Sequence, residues 1–374
     1  MKSKQEYSAL LESLESGKQE IDVKGLKVEV RSCADREAGR PDPRSSASSG
    51  LTKESFQKKE LLDPELLGNV VHLIGPENPE ELTLLARLRK EFGWRSSDLS
   101  TGIRTTTVER PGYRIWQYEV PTARKERPCV VLIHGGGFFG GDIATVENQC
   151  KLLAQYMEGV VLSVDYPLCP ENKFPKGFDA CYDTVCWAYE NAEELGISRK
   201  KIGVAGDSAG GNLSLACALR DRDEGKGKGM ISYQGLIYPM VSREESVDSA
   251  TYWKPEDYED PYNDPLIAAQ IRVIGSLGEE CSAWYLEEGQ DLRHPYLSPI
   301  FANLEGLPKT LLITAEYDFL RAECEEISRM LAAAGVELRH IRYGGIFHGT
   351  FDRLGYAPQV EDMLLQISKD MKAL

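Results

Sequence analysis

Residues 201–212 read KIGVAGDSAGGN. A short apolar run, Ile202 to Ala205, ends in a burst of glycine with one serine, Ser208, in its middle. Glycine loses more backbone freedom on folding than any other residue. Gly206, Gly210 and Gly211, crowded around one serine, therefore mark a backbone that turns sharply or is approached closely. The stretch fits the pattern Gly-x-Ser-x-Gly. Between a strand and a helix, that pattern places the serine on a strained turn with its Oγ at the top of a sheet. The helix that follows offers unpaired amides, which favour negative charge nearby. An ordinary glycine-rich turn would look the same in isolation, so the neighbours decide.

Strands and helices alternate on both sides of this turn. CVVLIH (129–134), VVLSVDY (160–166), KIGVAG (201–206), SYQGLIYP (232–239), TLLITA (310–315) and VELRHIRY (336–343) read as strands. VENQCKLLAQYM (146–157), FDACYDTVCWAYENAEEL (178–195), NLSLACALRDR (212–222), EEISRMLAAAG (325–335) and residues 356–374 read as helices. Strands separated by helices give a mostly parallel sheet covered on both faces. IRTTTVERPGYRIWQYEV, from 103, reads as a hairpin around Pro-Gly. Residues 1–35 read as charged and weakly helical, 36–50 as a Pro/Ser/Gly linker or mobile loop, and 51–100 as mostly helical. Residues 241–295 interrupt the alternation with acids, tyrosines and prolines, and with a helical part near 264–290.

The loop His134-Gly-Gly-Gly-Phe138 follows its strand directly. Three glycines there leave amides exposed, as an oxyanion hole requires. The N–H groups of Gly135 and Gly136 would join that of Ala209. A base should follow the serine and an acid in chain order. Of the histidines at 72, 134, 294, 340 and 348, His348 lies in a loop after the last strand, where catalytic groups of open α/β sheets gather. His134 precedes the serine and reads as structural; His340 reads as part of a strand. TLLITAEYDFLRAE offers Glu316, Asp318 and Glu323 as the acid. Asp318 sits past the strand end and is the first choice, Glu316 the second. Asp207 reads as a brace of the turn.

The net charge of −15 argues against nucleic acid or an anionic membrane as the main partner. No apolar run is long enough to span a membrane, and the first residues lack the apolar core of a signal peptide. Nine cysteines are scattered without a Cys-x-x-Cys pair or a Cys/His cluster. They imply a reducing cytoplasm, with neither disulfides nor a metal site.

HGGGF, DYPLCPENKFP, GDSAGGN, YLSPI, LLITAEYDFLRAE and FHGTF occur in that order. Together they resemble the hormone-sensitive-lipase-like esterases of the α/β-hydrolase fold over residues 103–374. The resemblance implies an α/β-hydrolase core under a mainly helical cap. Residues 1–100 would be an N-terminal extension and part of the cap, 101–240 and 296–374 the core, and 241–295 the cap insertion. It implies Ser208 as nucleophile, His348 as base, Asp318 as orienting acid, and Gly135, Gly136 and Ala209 as oxyanion donors. It implies hydrolysis of short- to medium-chain carboxylic esters without cofactor or metal, and a homodimer formed through a sheet edge. Amide or acetyl substrates would use the same residues, and a non-catalytic small-ligand receptor is the alternative from another class. Phe138 and Phe139 are candidates to line the acyl pocket from below, and Trp253, Tyr258 or Tyr262 from the cap. Two departures from the family pattern stand out. YPLCPE (166–171) lacks the arginine of the usual YRLAPE, and Thr350 stands where the family has phenylalanine after His-Gly.

Overall fold

The computed structural model describes residues 4–46, 95–225, 229–244 and 284–374, together with Leu85, Arg89, Gly93, Tyr258, Ile267 and Ile271. A ten-stranded sheet forms its centre, in the order β1-β2-β10-β9-β8-β7-β5-β6-β4-β3. The strands are β1 (Gln19–Val23), β2 (Leu26–Arg31), β3 (Arg104–Arg110), β4 (Tyr113–Glu119), β5 (Arg127–Ile133), β6 (Val160–Asp165), β7 (Ile197–Asp207), β8 (Tyr233–Ile237), β9 (Lys309–Tyr317) and β10 (Leu338–Phe347). From β6 through β5, β7, β8 and β9 to β10 every pairing is parallel. The hairpin β3–β4 adds an antiparallel edge against β6.

Successive side chains of a strand point to opposite faces, and β5 shows the result. Cys129, Val131 and Ile133 enter one apolar layer, Val130 and Leu132 the other. The first layer is closed by α3 (Lys176–Glu190), α4 (Ala209–Glu224) and α5 (Arg321–Ala333). The second is closed by α1 (Lys4–Ser16), α2 (Ile143–Met157) and α6 (Pro358–Ala373). Central strands buried on both faces must be continuously apolar, which explains CVVLI and TLLITA.

The N-terminal residues depart from the weakly helical expectation. Helix α1 ends at Ser16, and residues 19–31 form a hairpin. Val23 pairs with Leu26, and the two residues between them, Lys24 and Gly25, take φ of 53° and 83°. Positive φ at both central positions is what a two-residue hairpin turn requires. β2 then pairs in parallel with Ile341–Tyr343 of β10, so the extension supplies two strands to the central sheet.

Residues 36–46 also differ from a mobile linker, because Asp42 and Ser45 are fully buried. Their Pro, Ser and Gly content limits regular structure to one short helical turn, Pro43–Ser46, but does not prevent packing. The helical expectations for 51–100 and 264–290 fall mostly outside the described residues; Leu85, Arg89, Ile267, Ile271, Trp284 and Tyr285 are helical, whereas 95–100 and 286–290 are not, a departure from the expectation.

Arg31 at the end of β2 is 1% exposed. Its Nη1 donates to Asp362 of α6 at 3.0 Å and its Nε to Glu29 at 2.6 Å, while Tyr343 donates its hydroxyl to the same Asp362 at 2.7 Å. Removing one partner of a buried pair leaves the other charged and desolvated. Arg31→Ala should therefore lower the free energy of unfolding by about 3–5 kcal/mol, read by urea denaturation; a change within the error of the measurement would show that the pair anchors nothing.

Candidate active site

The carboxyl ends of β5, β7, β8, β9 and β10 converge on one rim of the sheet. β7 ends at Asp207, and Ser208 turns the chain into α4 at φ 55°, ψ −118°. The turn needs two residues without side chains. A Cβ on Gly206 would lie 2.5 Å from Ile133 O, and one on Gly210 would overlap that same oxygen. The elbow is therefore pressed against the end of β5. The Ser208 amide donates to Ile237 O of β8 at 2.9 Å, which ties the elbow to its other neighbour.

Ser208 Oγ lies 2.8 Å from His348 Nε2, and His348 Nδ1 lies 2.8 Å from Asp318 Oδ2. The Asp318 carboxylate is out of solvent, and its second oxygen accepts the Leu320 amide at 2.9 Å. With Asp318 accepting at Nδ1, the ring presents Nε2 as the acceptor for the Ser208 hydroxyl. Tyr238 and Phe319 flank the imidazole, with ring centroids 4.8 and 5.2 Å away. The structure thus brings Ser208, Asp318 and His348 together. Glu316, the second choice for the acid, is engaged elsewhere: its Oε2 accepts the Gly345 amide at 2.6 Å and pairs with Arg36. Glu323 accepts the Val241 amide at 2.7 Å, and burial pushes its carboxyl up to about 8.

The glycine loop after β5 faces the elbow, but its first amide is occupied. Gly135 N–H donates to Asp207 Oδ1 at 2.9 Å. This corrects the expectation that Gly135 is an oxyanion donor, since one N–H directed at a carboxylate is not directed at a substrate. Among the described residues no hydrogen bond leaves the amides of Gly136, Gly137 or Ala209. Gly136 and Gly137 take φ of 126° and 58°, left-handed values that aim the loop's amides. His134 is structural, as expected. Its ring stacks on Tyr166 at 4.4 Å, its Nδ1 lies 2.8 Å from Gly135 O, and burial lowers its pKa, keeping it neutral.

Phe138 and Phe139 are buried, and they pack rather than face an open cleft. Phe138 stacks on Tyr285 at 4.0 Å and lies under the Arg243 guanidinium, while Phe139 meets Trp284 edge-on. Trp253 and Tyr262 lie outside the described residues. Tyr258 is described, and its hydroxyl donates to Asp318 O at 2.6 Å.

Three further residues matter that the motifs did not reveal. Arg89 donates to Phe139 O and Cys169 O, both at 2.7 Å, and grips Glu171 with two nitrogens. A guanidinium from elsewhere in the chain thus braces the YPLCPE segment that lacks its own arginine. Tyr238 accepts the Phe351 amide at its hydroxyl. Ser45 accepts the Phe347 amide, one residue from His348. None of the three lies in a glycine-marked turn or next to a titratable motif residue, so no local pattern points to them.

The family model of the alpha/beta hydrolase fold matches residues 130–352. An arylesterase of Saccharolobus solfataricus is 32% identical over 252 residues, 67% of this chain and 77% of that enzyme. The hormone-sensitive lipase of Bos taurus is 33% identical over 171 residues, 46% of this chain and 22% of that enzyme. The solved structure of a hyperthermophilic esterase from the archaeon Pyrobaculum calidifontis superposes with a TM-score of 0.66 at 32% identity, over 83% of this chain and 96% of that one.

Burial pushes the Asp207 carboxyl from 3.8 up to about 6, against the pull of the Gly135 amide and His348. The folded state then holds this proton to higher pH than the unfolded chain, so ionisation of Asp207 erodes stability as pH rises from about 4 through 6. Asparagine keeps an acceptor for Gly135 and never ionises. Asp207→Asn should gain stability relative to wild type between about pH 4.5 and about pH 7.5, by about 2 kcal/mol. Urea unfolding of both proteins at the two pH values checks this, and an equal difference at both would contradict it.

Proposed function

Because the chain belongs to the α/β-hydrolase family, in its hormone-sensitive-lipase-like branch, we propose that it is a serine carboxylesterase acting on short- to medium-chain carboxylic esters. The observation that carries this is the unbroken line Ser208 Oγ, His348 Nε2, His348 Nδ1, Asp318 Oδ2, with 2.8 Å at each hydrogen bond. It stands at the start of a helix and beside a glycine loop with amides to spare. His348 takes the Ser208 proton as Oγ attacks the ester carbonyl. Asp318 holds the imidazole in the tautomer with its proton on Nδ1 and stabilises the imidazolium that forms. The developing oxyanion is received by the amides of Ala209, Gly136 and Gly137, preorganised by the elbow and by the left-handed glycines. The imidazolium returns its proton to the leaving alcohol, and water cleaves the acyl-enzyme with the same base.

A cap belongs to the same proposal. Residues 4–31 belong to the central sheet and its covering layer rather than to a cap, so the cap in this proposal draws on the later part of residues 1–100 and on 241–295. It is supported by Tyr258, Trp284 and Tyr285, which pack on the acid and on the glycine loop. So does a cytoplasmic location. The eight cysteines among the described residues are all free thiols, and no helix among those residues is long and apolar enough to cross a membrane. Pairing of two copies through the sheet would have to use β1 or β3, since β2 already occupies the outer edge of β10.

The test is turnover of p-nitrophenyl acetate, butyrate, octanoate and palmitate. The shorter esters should be hydrolysed fastest. Ser208→Ala should lower kcat about 10⁶-fold, and Asp318→Asn about 10⁴-fold through loss of the correct tautomer. Equal turnover by wild type and Ser208→Ala would refute the assignment.

A further inference from the structure

The loop that carries His348 is fastened from the far end of the chain. After β2 leaves β10 at Tyr343, residues 32–46 run on as a strap along Gly344–Thr350. The β9–β10 ladder is interrupted there, between Tyr343 and Phe347. Inside that interruption the Asp42 amide donates to Gly345 O at 2.8 Å. The strap lies so close that a Cβ on Gly344 would overlap Ser32 Oγ and Arg36 Nη1, and one on Gly345 would lie 2.8 Å from Arg36 Nε. Gly345 in particular is constrained, since it takes φ of 79° with the Asp42 amide 3.0 Å from where a Cβ would lie. Asp42 is fixed in turn by Gln359 and Arg44.

Near the end of the strap lies Ser45, whose hydroxyl closes a ring around the backbone of one residue, Phe347. Phe347 N–H donates to Ser45 Oγ at 2.9 Å. Ser45 Oγ lies 2.9 Å from Thr350 Oγ1. Thr350 Oγ1 donates to Phe347 O at 2.8 Å. Each hydroxyl has one proton. Thr350 spends its proton on Phe347 O, so Ser45 must donate to Thr350. Both polar groups of the Phe347 residue are thereby satisfied by two side chains, in a place without water access: Ser45, Phe347 and Thr350 are 0%, 1% and 1% exposed. Residue 348 begins at the next atom.

We propose that Ser45 and Thr350 are positioning residues for His348: their ring fixes the backbone from which the imidazole reaches Ser208 Oγ. The inference rests on the esterase reading above. A low-dielectric, fully satisfied polar ring is rigid, whereas the loss of one member leaves a buried amide or hydroxyl unpaired. The loop then relaxes, and small displacements of a base at hydrogen-bond range are costly in rate.

The experiment measures kcat and KM on p-nitrophenyl butyrate and the rate of Ser208 labelling by a fluorophosphonate. Ser45→Ala, Thr350→Val, Thr350→Ser, the Ser45→Ala/Thr350→Val double variant and Leu14→Ala are compared with wild type. Ser45→Ala and Thr350→Val should each lose about tenfold in kcat and in labelling rate, with KM within about twofold. The double variant should be no worse than either single one, since one ring is broken in all three. Thr350→Ser, which keeps the hydroxyl, should stay within about twofold of wild type. Leu14→Ala opens the core beneath α1, away from the site, and should lose stability without losing kcat. Wild-type kcat in Ser45→Ala and Thr350→Val would overturn the proposal, as would a loss that merely tracks the folded fraction. Should Ser45→Ala not fold, Thr350→Val breaks the same ring with an isosteric side chain. The two readings fail separately: an inactive wild type or an active Ser208→Ala sinks the esterase, while an active wild type with an unaffected ring variant sinks only the strap.

Discussion

One backbone conformation governs the site. Ser208 is held at positive φ between a strand and a helix, a state that costs a non-glycine residue of order 1–3 kcal/mol unless its surroundings enforce it. The surroundings do so from three sides. Ile133 of β5 blocks any side chain at positions 206 and 210. Ile237 of β8 accepts the serine amide. Asp207 reaches across to hold the first amide of the glycine loop. The strain is thus a property of three adjacent strand ends, and the serine hydroxyl is lifted clear of its own backbone as a result.

Aspartates divide their work around this point by environment. Asp318 is buried, yet it faces an amide and an imidazole, and it holds the His348 ring by Nδ1. Asp207 is its counterpart on the other side of the serine, spending one oxygen on a loop amide at the expense of its own solvation. Glu316 and Glu323, in the same stretch of chain, bind main-chain amides and keep neighbouring loops in place. Of these four carboxylates one holds an imidazole and three hold main-chain amides of different loops, and only their partners tell them apart.

That division explains what was legible in the sequence. Gly-x-Ser-x-Gly, the glycine loop and the late histidine are local patterns enforced by local geometry, and the structure sets those residues where their spacing places them. Asp318 was separable from Glu316 because its position past the strand end gives it reach. The role of Gly135 was not legible, since whether an amide points at a substrate or at Asp207 depends on a side chain 72 residues away. Arg89, Tyr238 and Ser45 were hidden for the same reason, each acting on chain remote from itself. The hairpin 19–31 did carry a local signal, alternation around Lys-Gly, obscured by the charge of its surroundings. Residues 36–46 misled through composition: prolines and serines announce a mobile linker, yet a largely irregular backbone ending in one helical turn can still be buried when it finds hydrogen-bond partners.

The pairing of β2 with β10 has a consequence for how the molecule comes into being. Arg31 and Asp362 are separated by 331 residues. A ribosome adds roughly 5–20 residues per second, so the early strands wait on the order of tens of seconds before the strand and helix that receive them have been made. During that interval the central strands have their sequence neighbours at hand, while the extension has only itself. The partners of the early strands and of the strap, β10 and α6, are therefore among the last residues to be made. A nascent chain thus has the strands that enclose Ser208 before the loop of His348, which the strap fastens, has been made.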